Sequence, residues 1–359
     1  MAEDHQSVTK SSSRWMAVGF QVGAVVLALL FTTAVLLIAD APPLKAYWNI
    51  LLGAFGSVDS LSNVVVAWVP LLLTSAGVLV TFTAGLWNIG IEGQITLGAI
   101  FTTWVLRLLQ DSALPAGVVI VLGLLAGVIG GMLWGALAGA LKTFGGVNEI
   151  FGGLGLNFVA SALTIYLIFG PWKRPGIGSM SGTQPFPDQF SLPMVGDLRM
   201  SFWSLGISLV GILLVYLLLT GTHFGLKLKA VGKNNKAAFV LGIPTSRYMM
   251  VAFLICGAFA GMAGALQVVG VFHRLVPSIS SGYGYLGLLV AMLVNYGATW
   301  VAPVAFFFAA LNLGSIQLPI VLKLDSSLAG VLQGALVLSV LMVDGLRKRV
   351  TAKPAGGGK

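Results

Sequence analysis

Hydrophobic residues make up 57% of the 359 and charged residues only 9%, with a mean hydropathy of +0.96, whereas soluble domains carry roughly a quarter charged residues. Such a chain cannot cover a water-facing surface, so its apolar side chains must face lipid or one another. The net charge of +9 could suggest a nucleic-acid partner, but the basic residues are distributed as a membrane topology would place them, and nucleic acid is excluded as a partner.

In chain order, a basic tail (1–14) precedes the uncharged run Trp15–Ala39. Its apolar core is too long for a cleaved signal peptide, and no small-residue cleavage site precedes Asp40 and the Pro42-Pro43 pair, so it reads as a retained first helix. A span needs about 20 residues. Uncharged runs of that order predict spans at 15–38, 62–84, 93–110, 115–141, 149–169, 201–220, 248–270, 283–297, 300–322 and 326–344. The expected fold is therefore all-α, a polytopic membrane helical bundle of about ten transmembrane helices with interrupted or re-entrant segments. The membrane domain covers 15–345 and a basic tail, 346–359, follows; the sequence from Thr351 has the composition of a disordered end.

With the N-terminus inside, about two thirds of the 20 Lys and Arg fall on the cytoplasmic side, and an even number of spans returns the C-terminus there. The loop at about 170–200 is then external. It holds Pro171, Pro175, Pro185, Pro187 and Pro193, which makes it turn-rich rather than a domain. The loop at about 221–247 is cytoplasmic and basic. The 47 glycines lie mostly inside apolar runs, where small residues let helix backbones approach. The single Cys256 excludes an internal disulfide or a Cys-based metal site and reads as a small buried residue.

No GxxxxGK[ST], HExxH, GxSxG or CxxC occurs, so the chain has no P-loop and no recognisable catalytic centre. His5, His223 and His273 are distributed over a tail and both membrane sides and cannot form one site. No catalytic residue, metal or cofactor is expected in this chain.

Four constellations remain. Residues 84–94 read AGLWNIGIEGQ and end an uncharged run, Ser60–Ile91, that is 32 residues long. As one helix that run would span about 48 Å, well beyond a hydrocarbon core of about 30 Å, which predicts a break or re-entrant turn. A carboxylate at membrane depth costs about 2.5–3.5 kcal/mol on insertion scales. Asn88 and Glu92 are therefore candidates for the lining of a pathway or its gate, with a helix-terminal charge as the alternative for Glu92. Next, Asn148 and Glu149 fit the cap and first turn of a helix, and Asn157, two turns further on, is an amide that must find a partner or a ligand. The third constellation is Gly225–Pro244. There Ala237, Ala238 and Leu241 fit one face of a short helix closed by Gly242 and Pro244, either an ordinary basic loop or a docking helix for a cytoplasmic motor. Lastly, the glycine-rich stretch 278–287 leads to Asn295-Tyr296-Gly297. It interrupts the second half as 85–98 interrupts the first, an arrangement that points to a transport site between the halves, whose sequence identity is too weak to make them repeats. Trp68, Trp104, Trp172, Trp203 and Trp300 lie near span ends as interface anchors.

Together GLWNIGIEGQ, GGVNEIFGGLGLNFVA, FGPWKRPGIGSMSG and AVGKNNKAAFVLGI with GAFAGMAGA resemble the permease of the simple-sugar and nucleoside ABC importers, a family that also includes ribose and branched-chain amino-acid permeases. The resemblance covers about residues 60–345 and is greatest to the nucleoside branch. It implies a permease half of the ABC importer type in a bacterial plasma membrane, paired with a second related permease. Cytoplasmic ABC ATPase subunits, which would bind ATP and Mg, and an extracytoplasmic substrate-binding lipoprotein complete the assembly. It also implies that 232–243 is the coupling helix, with Gly232, Ala237, Ala238 and Gly242 matching the family pattern. Lys236 departs from the Glu common there, and Tyr283 and Tyr285 depart from the usual apolar pattern. A substrate pathway through Asn88, Glu92, Asn157 and Asn295 is the corresponding expectation. The competing readings are a branched-chain amino-acid or ribose permease, an ion-coupled secondary transporter, against which a single intramembrane carboxylate weighs, and a membrane scaffold.

Overall fold

The computed structural model describes residues 26–27, 29–38, 40–176, 182–294 and 297–323, with scattered positions between 330 and 345. The expected tails 1–14 and 346–359, Asn295 and most of the expected span 326–344 lie outside the described residues. Among the described residues all regular elements are helical, with one isolated bridge between Val195 and Leu198.

The chain divides into two compact units. The first, residues 1–57 with 310–359, contains α1 (Leu29–Ile38), α2 (Pro43–Phe55) and α13 (Gln317–Leu322). A bend of 111° separates α1 from α2. Pro43 at the first helical position of α2 needs no amide partner there, and the Tyr47 hydroxyl donates to the Leu29 carbonyl at 3.1 Å. Leu36, Ala41, Ala46 and Leu318 form its small core.

The second unit, Val58–Ala309, carries α3 (Val58–Thr83), α4 (Ile91–Leu109), α5 (Ala116–Thr143), α6 (Glu149–Phe169) and α7 (Phe202–Gly221). Two short helices follow, α8 (His223–Lys233) and α9 (Asn235–Val240), then α10 (Thr245–Gln267), α11 (Tyr283–Leu293) and the start of α12 (Val301–Ser315). α3 lies at the centre: 83% of its most apolar window is buried, against 28% for each of α5, α6 and α7. Those three turn residues such as Leu125, Leu133, Phe158 and Leu213 outward, as a lipid-facing shell requires. α5 and α10 pack backbone to backbone. A Cβ on Gly131 would lie 2.6 Å from the Gly261 Cα, and one on Gly257 would lie 3.1 Å from the Met132 Cα. Only glycine permits that approach.

The expected count of about ten spans is not what the described residues give. Six helices are long and apolar enough to cross a membrane, or seven if the bent α1–α2 pair is one span. α4 falls short because Glu92, Gln94 and Arg107 dilute its 19 residues. α11 has 11 residues, about 16 Å, half a hydrocarbon core.

Residues 182–201 fold back on the end of α10 and contain no helix longer than a three-residue turn. The N–H groups of Thr183, Phe186 and Leu192 donate to the carbonyls of Leu275, His273 and Val269 at 2.8–3.0 Å, while Phe186, Phe190 and Leu192 are buried. His273 adopts the left-handed conformation (φ 52°), and its Nδ1 lies 3.0 Å from the Ser191 hydroxyl. Burial lowers the His273 pKa from the usual 6.5, outweighing the opposing pull of Asp188. Protonation is therefore easier in the undocked segment. The docking contribution is complete above pH 6.5 and is lost as pH falls from there toward the lower folded value. Amide exchange at Thr183, Phe186 and Leu192, corrected for its intrinsic pH dependence, should speed up between about pH 7 and pH 5, and His273→Gln should remove that response.

Candidate functional site

The over-long run breaks where its length demands. α3 stops at Thr83, residues 84–90 form an irregular crossing, and α4 starts at Ile91. Such backbone survives at membrane depth only if the protein satisfies its polar groups, and here Asn157 bonds it directly while Asn88 anchors it through side chains. Asn88, 1% exposed, exchanges amide hydrogen bonds with Gln94 at 3.1 and 3.2 Å and donates to the Cys256 sulfur at 3.1 Å. That ties the break to α10. Asn157 of α6 accepts from the Gly93 N–H at 2.8 Å and donates to the Ile89 carbonyl at 2.9 Å and the Tyr285 hydroxyl at 3.3 Å.

Glu92, 6% exposed, reaches across to the other interruption. Its Oε1 accepts from the backbone N–H groups of Gly284 and Tyr285, at 3.1 and 3.2 Å. These belong to the first turn of α11, whose free N–H groups and dipole favour a negative charge. Glu92 thus caps a helix 192 positions away in the chain while standing in the first turn of its own helix. The two interrupted segments, paired in the sequence only by their glycine content, meet at this carboxylate. Its Oε2 forms no hydrogen bond of good geometry, with the Ser280 hydroxyl close by. A second orphan, the indole N–H of Trp134, lies beside Gly93 and the Asn157 oxygen, near the position a Gly93 Cβ would take. The cluster therefore links Glu92 and Asn157 through Gly93 and Tyr285, holds Asn88 on its α10 side and leaves Asn295 outside the described residues. Nothing in the sequence marked Trp134, because α5 is apolar on all sides and offers no periodicity.

Asn148 caps α6 as its sequence predicts: its Oδ1 accepts from the Ile150 N–H at 2.9 Å, and Glu149 pairs with Lys142 across the α5–α6 turn.

On the opposite side of the break lies the basic segment. Thr222 and Asn234 cap α8 and α9, their oxygens accepting from the N–H groups of Gly225 and Ala237 at 3.1 and 3.0 Å. α9 ends as its sequence requires: Gly242 takes φ +83°, and the Ile243 N–H returns to the Ala238 carbonyl at 3.0 Å. The expected shared face of Ala237, Ala238 and Leu241 is not formed. Ala238 is buried while Ala237 and Leu241 are exposed, because Ala238 points back onto the bundle. The outward apolar surface is instead Phe239-Val240-Leu241, 68%, 84% and 79% exposed. Gly232 does not face outward either: a Cβ there would lie 3.0 Å from the backbone of Ala84 and Gly85. The end of α8 therefore rests on the break itself. An apolar knob, the break, Glu92 and the start of α11 form one connected series.

Residues 60–341 match the family described as branched-chain amino acid transport system / permease component. The glucose ABC transporter permease protein TsgB13 of Haloferax volcanii is 30% identical over 345 residues, 93% of this chain and 90% of that protein. The guanosine ABC transporter permease protein NupP of Bacillus subtilis is 26% identical over 88% of this chain and 91% of its own length. For the nucleoside ABC transporter permease protein NupB of Lactococcus lactis the identity is 25%, over 82% of this chain and 81% of that protein.

Proposed function

Because the chain belongs to the family of branched-chain amino acid transport system permease components, we propose that it is the membrane-spanning subunit of an ATP-driven ABC importer for nucleosides or simple sugars. The observation that carries the substrate class is the near full-length similarity to nucleoside and glucose permeases. The chain itself performs no covalent chemistry. ATP and Mg belong to a cytoplasmic ATPase, a second related permease completes the pathway, and an extracytoplasmic binding protein delivers the solute. The membrane is the bacterial plasma membrane with both termini cytoplasmic, which puts the basic segment 221–247 on the ATPase side.

The knob Phe239–Leu241 is the docking element, and Gly232, Ala237, Ala238 and Gly242 shape it. Motion of the docked ATPase reaches the break through the contact of Gly232 with residues 83–85, and passes through Glu92 to α11. Asn88, Asn157 and one oxygen of Glu92 are held by protein partners in the described conformation. This supports their acting as fastenings of a closed pathway, exposed to solute when α11 and α4 part. Polar contacts that are few and weak suit conduction, with selectivity left to the binding protein.

Gly242→Trp tests the docking element. A side chain at φ +83° costs about 1–2 kcal/mol, and it would project from the exposed knob. Uptake should be lost while membrane insertion is retained; normal uptake by this variant would remove the docking assignment. For the substrate, uptake of labelled adenosine, uridine, glucose, ribose and leucine should be compared in cells with and without the chain. Selective loss of the two nucleosides, or of glucose, supports the proposal. Loss of leucine or ribose alone moves the chain to the other branches of its family. Uptake that collapses with the proton gradient at constant ATP would instead make it an ion-coupled transporter.

A further inference from the structure

A cavity of about 720 Å³ opens on the side of the second unit between α7, α5, α10 and α3. It is lined by Gly206, Val210 and Leu214 of α7, with Leu73, Ala258 and Phe259 behind them. The α7 residues recur on one helix face, and a Cβ on Gly206 would have no neighbour within 4 Å. Every lining side chain is apolar, so a nucleoside or sugar placed here would leave each hydroxyl unpaired, at a cost of several kcal/mol in hydrocarbon surroundings. The cavity is therefore no part of the solute pathway.

Its length identifies the occupant. From Trp203 to Leu214 the groove follows α7 for about 16 Å, close to the depth of one leaflet in a core of about 30 Å. It ends well before α7 does at Gly221. A helix of a partner permease would need a seat along the whole span, whereas acyl chains of one leaflet need only half. Phe202 and Trp203, 64% and 66% exposed, stand at the open end as residues of the interfacial belt do. Arg199, also exposed, lies just beyond them. Arg199 also lines a small separate cleft with Ser201 and Ser204; Ser201 is buried there and the Ser204 hydroxyl donates to the Ser201 carbonyl, which leaves the exposed Arg199 as the group at this end of α7 that can meet a headgroup. We infer that this groove seats the acyl chains of an anionic phospholipid from the leaflet at the Arg199 end of α7, with the phosphate against Arg199.

The purified full-length chain, stripped of lipid in detergent, should be titrated with dioleoyl phosphatidylglycerol and dioleoyl phosphatidylcholine and read by native mass spectrometry. Wild type should retain phosphatidylglycerol about tenfold more tightly than Gly206→Trp, which fills the groove. Arg199→Gln should bring phosphatidylglycerol down to the level of phosphatidylcholine. Val210→Trp, at an exposed position, serves as a second filler should Gly206→Trp fail to fold. Equal retention by wild type and a folded filler variant would overturn the assignment. So would a Gly206→Cys chain that cross-links efficiently to a second permease at every lipid content.

Discussion

Replacing Gly261 with leucine should prevent the second unit from assembling. The α5–α10 crossing brings two backbones together at Gly131, Gly257 and Gly261: a Cβ on Gly261 would lie 3.0 Å from the Cα and N of Gly131, and the rest of a leucine would have to occupy space already filled by α5. The obstacle is backbone, which cannot rotate away as a side chain can. Overpacking typically costs 1–3 kcal/mol when the neighbours can shift. Here a whole helix must be displaced, and the expected loss of more than about 4 kcal/mol approaches the entire stability of a domain. Size-exclusion profiles of a fluorescent fusion should show aggregate and little monodisperse protein. Gly155→Leu is the matched control, since its Cβ meets nothing within 4 Å; a monodisperse Gly261→Leu would show that the crossing is looser than described.

Glu92→Ala is expected to be nearly as damaging, for a different reason. Removing the carboxylate leaves the N–H groups of Gly284 and Tyr285 without their acceptor, at about 1–3 kcal/mol for the buried Gly284 group and less for Tyr285, which is partly exposed. It also removes the negative charge that faces the α11 dipole. Glu92→Gln keeps an acceptor oxygen at the same position and should recover roughly half of the loss. The ordering wild type, Gln, Ala in thermal unfolding, with α11 amides exchanging fastest in the alanine variant, is the expected result. Equal stability of all three would mean that the contact is absent in the membrane. Uptake separates fastening from lining: a fastening predicts that Gln retains transport, with altered rate, whereas a group that must carry charge to the solute predicts that both variants lose it.

Much of this arrangement can be read from residue type and run length. The uncharged run that was too long for one span located the break within a few residues. Asn148 announced its cap, and Gly242 with Pro244 announced the end of α9. Each of these depends on local rules of length, capping and φ. The partner of Glu92 does not, because nothing near residue 92 specifies residues 284 and 285. The same holds for Asn88 and Cys256, which meet across 168 positions. Ala238 turned inward because a six-residue helix has too few positions for a pattern to fix its face. Among the described residues, the expected spans 93–110 and 283–297 do not qualify as crossings because one helix is polar at one end and the other is half-length, a distinction that hydropathy over a window does not make.

The contact between Glu92 and α11 also sets a clock on synthesis. Ribosomes add about 5–20 residues per second, so the 192 positions between donor and acceptor correspond to roughly 10–40 seconds. For that interval α4 is already made while the groups its carboxylate will hold have not yet left the ribosome. The nascent chain must shelter Glu92 by other means, through water at the insertion machinery, a proton or a membrane chaperone. Ribosome-bound chains stalled before residue 283 should therefore be held more tightly by the insertion machinery than chains stalled after residue 300, and Glu92→Leu should abolish the difference.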